Sequence, residues 1–305
     1  MFQERVMSIL VIGSVAIDSI TTPFGKNDEA LGGSATYFSI AASFFDKVDI
    51  VAVVGKDFPS RYITLFKNRN IGTSGLETVK GKTFRWSGRY DYDLNTAITL
   101  STHLNVFKNF KPDVPQPLRN SKYLFLANID PELQYAVLKQ VRSPRFVACD
   151  SMNYWISTKK RALERLLGSV DVLLLNDAEA RQFSGEANLL KAAQLIISFG
   201  PKAVVIKKGE HGVLYCSKSS HFIAPAYPLE SVYDPTGAGD TFAGGMMGYL
   251  SRASSISEAT VRKAIIYGSI LASFVVEDFS VNRLLELSMH DIRRRYDHFK
   301  KITTF

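Results

Sequence analysis

The sequence predicts an α/β protein, a three-layer αβα sandwich with a mostly parallel central sheet and a small β-strand lid. Three observations carry this expectation. Short apolar runs recur at 9–13, 50–54, 123–127, 146–149, 170–175, 204–206 and 213–216. Most are continuous rather than alternating, as in strands buried on both faces. Helical periodicities lie between them, at 35–45, 60–68, 131–141, 159–167 and 189–199, and such alternation gives a parallel sheet covered on both sides. One stretch obeys a different period. Phe84, Trp86, Tyr90 and Tyr92 alternate with Arg85, Ser87, Arg89 and Asp91, and a second run carries Ile98, Leu100, Leu104 and Val106. Two period-2 runs joined by a short polar link predict a β-hairpin with one apolar face. A hairpin outside the parallel core covers something, either the mouth of a site or a partner subunit.

The elements follow in chain order. The first strand runs into Gly13-Ser-Val-Ala-Ile-Asp18, which puts an acid just past it. Gly32-Gly33 then leads into the helix at 35–45, and a Gly pair lets backbone come close to a ligand. After the strand at 170–175, Asn176-Asp-Ala-Glu179 reads as an N-cap with Glu three residues on, a capping-box variant. Ile206-Lys-Lys-Gly-Glu-His-Gly212 is a strand entering a glycine-bounded turn, in which His211 has no acid or hydroxyl partner at a recognisable spacing and reads as a surface residue. Ligands on folds of this kind sit beyond the C-terminal ends of the strands.

Composition narrows the class. At 305 residues with no Pro/Ser/Gly-rich linker, one large domain with a smaller appendage fits better than two equal halves. Hydrophobic content of 46% and charged content of 22% are those of a globular protein. Cys149 and Cys216 sit in apolar runs without metal spacing, so buried thiols in a reducing compartment are expected. No run approaches a membrane span, and Asp18 follows the apolar stretch 6–17 where a signal cleavage site needs small neutral residues. A cytoplasmic location without membrane contact is the expectation. The net charge of +8 gathers at Arg293, Arg294, Arg295, Lys300 and Lys301. Ile292, Tyr296 and Phe299 interleave at helical spacing, so this is read as the solvated face of a helix rather than a nucleic-acid site.

The most informative stretch is Asp234-Pro-Thr-Gly-Ala-Gly-Asp240, running into Thr-Phe-Ala-Gly-Gly-Met-Met-Gly-Tyr-Leu250. It predicts a tight turn opening a helix. Amides left unpaired at a helix start carry partial positive charge and favour an anion, phosphate above all. A carboxylate beside such a site repels phosphate, and taking the proton from an attacking hydroxyl is a role that explains Asp240 there. A Gly-x-Gly-Asp alone is more often a cap than a catalyst. The complete run is much rarer.

That run resembles, without a substitution, the C-terminal signature of the ribokinase-like (PfkB) carbohydrate kinases, and the resemblance spans the chain from the first strand to Ala272. It implies a single kinase domain over 1–305, with lid segments at about 15–33 and 82–107. It implies ATP and Mg²⁺, with K⁺ as a further candidate, and a γ-phosphoryl transfer to a hydroxyl of a small sugar-like acceptor. Gly237, Ala238 and Gly239 would form the anion hole and Asp240 the base. Asp18, Gly32, Gly33, Tyr37 and Arg89 would face the acceptor. Asn176, Lys207, Gly209, Gly212 and Thr236 would face the nucleotide, and Glu179 would act on Mg²⁺ through water. Asp150-Ser-Met-Asn-Tyr-Trp155 resembles a stretch on the substrate side, and Val54-Gly-Lys-Asp57 an architectural element.

The chain departs from the family at three places. Tyr37 stands where relatives often carry Asn, Lys207 where they often carry a hydroxyl residue, and Val276–Ser280 lacks the glycine common near their cation loop. Lid strands of two subunits interlock in some relatives, which makes a homodimer an expectation. A nucleoside kinase of the same fold is the nearest rival, since Tyr37, Trp86, Tyr90 and Tyr92 could stack on a base. A non-catalytic nucleotide- or sugar-binding regulator is the rival of another class, disfavoured by an intact Asp240 and glycine turn. A nicotinamide-binding enzyme needs Gly-x-Gly-x-x-Gly after the first strand, and here Ser-Val-Ala follows Gly13.

Overall fold

The computed structural model describes residues 8–304; the ends of the expected 1–305 domain, 1–7 and 305, lie outside the described residues. Strand β1 (Ile9–Ile12) is wholly buried and leads into a hairpin of β2 (Ala16–Thr22) and β3 (Gly25–Gly32). Helix α1 (Ser34–Ala42) has every residue buried and is followed by β4 (Val48–Gly55), α2 (Ser60–Asn68) and β5 (Ile71–Val79). The second hairpin, β6 (Phe84–Tyr90) and β7 (Ala97–His103), falls where period-2 alternation placed it. The chain then alternates through β8 (Tyr123–Leu126), α3 (Pro131–Leu138), β9 (Phe146–Asp150), α4 (Asn153–Thr158), α5 (Lys160–Leu167) and β10 (Val172–Asn176). Next come α6 (Asp177–Ser184), α7 (Leu189–Ser198), β11 (Ala203–Lys207), β12 (Val213–Ser217) and β13 (His221–Ala224). Four helices close the chain: α8 (Ala238–Arg252), α9 (Glu258–Val275), α10 (Asn282–Glu286) and α11 (Met289–Thr303).

The central sheet has nine strands in the order β13-β12-β11-β10-β9-β8-β1-β4-β5. Only β12 runs against its neighbours; the other pairings are parallel. Alternate residues of one strand enter opposite cores. Ile9 and Val11 pack with α1, α8 and α9, whereas Leu10 and Ile12 pack with α3, α5, α6 and α7. From β1 the chain moves to β4 and β5 on one side, then crosses to β8 and continues outward on the other. Such a reversal opens a crevice at the C-terminal strand ends. The lid is a separate sheet in the order β3-β2-β6-β7, with β2 and β6 parallel.

Two strands escaped the sequence reading. Ile71–Val79 contains Gly72, Thr73, Ser74 and Gly75, so its apolar pattern is broken, and Gly75 sits where β4 comes close: a Cβ there would lie 2.7 Å from the Ile50 carbonyl oxygen. His221–Ala224 is too short and polar to register. The terminal helix turns Ile292 and Phe299 inward as expected. Arg295 does not follow its basic neighbours outward; its guanidinium lies 3.3 Å over the Phe274 ring and 2.6 Å from Glu277.

The glycines of α8 serve packing, and their partners are helices rather than the sheet. A Cβ at Gly244 would meet the Phe38 carbonyl oxygen of α1 at 2.3 Å, and one at Gly245 would meet the Tyr267 carbonyl oxygen of α9 at 3.0 Å. Because the first of these neighbours is backbone, Gly244→Ala is expected to lower stability by about 2 kcal/mol, measured by urea denaturation.

Candidate active site

The turn before α8 is shaped by a buried carboxylate. Asp234, 1% exposed, accepts the Thr236 N–H at 2.9 Å and the Ser280 N–H at 3.0 Å. Gly237 then takes φ 75°, a left-handed conformation suited to glycine, and N-caps α8 without a side-chain acceptor. The Ala238 N–H turns back to the Pro235 carbonyl at 3.2 Å. Among the described residues the N–H groups of Gly237, Gly239 and Asp240 have no protein acceptor. The free donors are therefore 237, 239 and 240, rather than the expected 237, 238 and 239. Three free amides at the start of a 15-residue helix are suited to an anion.

Three charged side chains, Asp150 and Lys207 at the ends of β9 and β11 and Glu179 in the first turn of α6, converge beside these amides and Asp240. Lys207 Nζ lies 3.2 Å from Asp150 Oδ2 and passes over Gly239, where a Cβ would be 2.8 Å from the nitrogen. Asn176 pairs with Lys207 across β10 and β11. The Asn176–Glu179 capping box is complete: Asn176 Oδ1 accepts the Glu179 N–H at 2.7 Å, and Glu179 Oε2 accepts the Asn176 N–H at 2.8 Å. Asp150, which the sequence placed on the acceptor side, thus belongs to the phosphate side.

The electrostatics follow from enclosure. Burial pushes the Asp240 carboxyl up to about 7; Asp150 and Glu179 add to the effect and Lys207 opposes it. Burial, then Asp150, likewise pushes Glu179 up to about 7. Burial works against the Lys207 ammonium, but Asp150, Glu179 and Asp240 outweigh it and hold its pKa above the ordinary range. A helix N-terminus alone would favour an ionised Asp240; burial and the neighbouring carboxylates work against it. Three acids facing one ammonium leave surplus negative charge. That surplus fits a hydrated divalent cation accompanying nucleotide phosphates; among the described residues no cluster of three or more His, Cys, Asp or Glu is placed to ligate a metal directly.

Across the cleft, Asp18 is 5% exposed on β2, and burial pushes its carboxyl up to about 7, with the Gly33 N–H pulling down and Asp234 and Asp240 pushing up. Gly32 makes room for it, since a Cβ there would sit 1.8 Å from Asp18 Oδ2. Gly33, at φ 95°, lies against the Ser14 carbonyl, with a Cβ position 2.5 Å from that oxygen. The lid reaches the same cleft. Tyr90 Oη is 3.2 Å from Thr236 Oγ1, and the Trp86 ring lies over Gly88, 2.2 Å from where a Cβ would stand. Trp86 and Asp18 are register partners and share a lid face.

Several expected residues sit elsewhere. Arg89 alternates to the face opposite Tyr90, half exposed and 3.8 Å from Asp91, so it does not join the acceptor side. Tyr37 is 1% exposed, its ring pressed against Gly237, with a Cβ position 2.4 Å away; it supports the turn from beneath and offers no open face for stacking. Gly209, at φ 55°, lies beside lid residue Asn95, whose Oδ1 is 3.3 Å from the Cβ position. Gly212, at φ 80°, fits against the Ala224 carbonyl at 2.1 Å from its Cβ position, so its freedom serves β13 packing. His211 is a surface residue as read. Asp57 is architectural: it accepts both the N–H and the hydroxyl of Thr83 at 2.7 Å, anchoring the second lid hairpin. Asp150 was read for the substrate side and Tyr90 only as a stacking aromatic; no local signal ties either to the turn before α8, and strand order and hairpin register bring them to it.

A helix start with free amides, a carboxylate beside it and a lid that reaches the same turn fit a phosphotransferase with an alcohol acceptor. Residues 8–286 match the pfkB family carbohydrate kinases, and the chain belongs to that family. A cytidine kinase of Thermococcus kodakarensis is 29% identical over 258 residues, covering 83% of this chain and 91% of that protein. Two solved structures share the fold. The nucleoside kinase of Methanocaldococcus jannaschii has a TM-score of 0.78 at 20% identity, covering 96% and 98% of the two chains. A ribokinase II homologue of E. coli, in complex with ATP and Mg²⁺, has a TM-score of 0.79 at 16% identity, covering 95% and 99%. No helix among the described residues is long and apolar enough to cross a membrane.

Asp240→Asn is expected to cut kcat by about a thousandfold while leaving the circular dichroism spectrum unchanged. A carboxyl whose pKa is raised on folding binds its proton more tightly in the folded chain. Its contribution to stability is therefore lost as pH climbs from the ordinary carboxyl value of 3.8 toward about 7, and Asp240→Asn should melt no lower than wild type at pH 8. In wild type, kcat/KM should rise with pH through an apparent value near 7 that belongs to the carboxylate cluster as a whole.

Proposed function

We propose that this kinase transfers the γ-phosphoryl group of ATP to a hydroxyl of a small sugar-like acceptor held between Asp18 and the lid. The observation that carries this reading is the set of free amides at 237, 239 and 240 with the Asp240 carboxyl beside them and the Asp18 carboxyl across the cleft. The acceptor hydroxyl gives its proton to Asp240 as its oxygen bonds to the γ-phosphorus, the bond to the β–γ bridging oxygen breaks, and ADP leaves. The amides and Lys207 stabilise charge on the transferring group, a task dominated by positioning and electrostatics. Mg²⁺, when bound with the nucleotide, neutralises phosphate charge, and Glu179 with Asp150 would hold it through water.

A second reading has its own observation. The Trp86 ring, laid flat over Gly88 on the face that carries Tyr90 and Asp18, is a platform for a planar base. This reading makes the acceptor a nucleoside, with Asp18 on the ribose hydroxyls. The M. jannaschii and T. kodakarensis relatives act on such compounds by name. The loop 276–280 closes on Asp234 through the Ser280 N–H, and Val276 O accepts from the N–H groups of Tyr233 and Asp234, so we expect equal activity in K⁺ and in tetramethylammonium salts.

A phosphate-transfer screen of cytidine, adenosine and inosine against ribose, fructose and inositol separates the two readings. Trp86→Ala should raise KM for a nucleoside by about tenfold and leave a free sugar's KM unchanged; no ATP-dependent phosphorylation of any polyol would refute both. Leu100 and Leu104, 58% and 43% exposed on and beside the β7 edge strand, support pairing of two lids. Sedimentation should report twice the 34.0 kDa chain mass, and a monomer would remove the dimer.

A further inference from the structure

We infer that Asp150 is a positioning residue, which holds the Lys207 ammonium above the phosphate turn and yields it to the transferring phosphoryl group when nucleotide enters. The inference rests on the kinase reading and deepens it. Lys207 ends β11 and Asp150 ends β9, with β10 between them. Two strand spacings amount to about 9.5 Å, so the lysine must lean across the end of β10 to reach its partner. A strand-end lysine without such a partner would extend into solvent. Instead its side chain is 18% exposed and its Nζ is 3.2 Å from Asp150 Oδ2.

The carboxylate is itself fixed. Asp150 Oδ1 accepts the Ser151 N–H at 2.7 Å, leaving Oδ2 turned toward the lysine. Gln134, 0% exposed, donates through Nε2 to the carbonyls of Leu126, Ala127 and Asp150, each at 2.9 Å, and so ties the ends of β8 and β9 together beneath the pair. The phosphate turn is shaped around the cation: Nζ occupies the space into which any side chain at 239 would project. An ammonium held there lies next to two free amides, those of Gly239 and Asp240, and beside the base.

This arrangement addresses a specific difficulty. Without a cation, the acids Asp150, Glu179 and Asp240 would repel an incoming polyphosphate. A lysine free to swing would pay side-chain entropy each time it was recruited. Parked on Asp150, it is already ordered, and that contact is the one a phosphate oxygen replaces.

The test uses full-length enzyme with the acceptor identified by the screen. Lys207→Met should lower kcat by about a hundredfold with acceptor KM unchanged, and Lys207→Arg should recover part of the loss. Asp150→Asn should lower kcat by about tenfold and tighten competitive inhibition by inorganic phosphate against ATP, because the released ammonium binds the anion more freely. The double variant should be no slower than Lys207→Met alone, the non-additivity expected when one residue acts through another. Asp150→Glu, which keeps the charge and moves it by one methylene, should also be slower than wild type and covers the case in which Asp150→Asn does not fold. Wild-type kcat in the Asp150 variants, weaker phosphate inhibition in Asp150→Asn, or a double-variant loss equal to the product of the single losses would each overturn the inference. Full turnover in Asp240→Asn would instead overturn the kinase assignment of the base.

Discussion

The Asp234 carboxylate gives the phosphate-binding turn its shape. By accepting one N–H from its own turn and one from Ser280, it locks two loops that are far apart in sequence into a single unit. Ser280 takes φ 58° to make that contact and donates its hydroxyl to the Leu31 carbonyl at 2.5 Å. The acceptor-side Gly pair, the phosphate turn and the loop after α9 are thereby joined through one buried acid. With the turn fixed in this way, Gly237 can open α8 while three amides stay free. Each of those donors would be costly to leave dry and unpaired, which suits the turn to an anion.

The site is built under electrostatic tension. Asp18, Asp240 and Glu179 are all pushed to about 7 by burial in a region with few cations. Such a cluster does not stabilise the empty fold. A cation brought to the cluster would offset that charge. A base poised near neutrality also accepts a proton from a hydroxyl more readily than an ordinary aspartate would.

The lid divides its labour by strand alternation. On β6, Trp86 and Tyr90 look into the cleft while Arg85 and Arg89 look away; Arg85 pairs with Glu29 at 2.7 Å and contacts Asp57. The outward arginines hold the lid's frame and the inward aromatics meet the ligand side. Through Tyr90 on Thr236 and Asn95 near Gly209, one hairpin touches both the phosphate turn and the nucleotide turn.

Much of this was legible from residue order. The seven core strands found by apolar run, the helices between them and the period-2 hairpin all depend on local patterning, and they stand close to where the patterning put them. The phosphate turn was legible for the same reason: its glycines, its proline and Asp240 are contiguous. The broken pattern of Ile71–Val79 hid a strand that exists through its pairing with β4. Arg89 was misplaced because alternation tells that two neighbours face apart and not which face looks inward. Tyr37 was misread as a ligand contact because nothing nearby in sequence announces that Gly237 will rest on its ring. Local order thus dictated the layers, the turn and the place of Asp240 beside it. Which acids crowd that carboxylate, which lysine answers them and which lid face meets the cleft were decided by strand order and close backbone approach, since both act between residues that only folding makes neighbours.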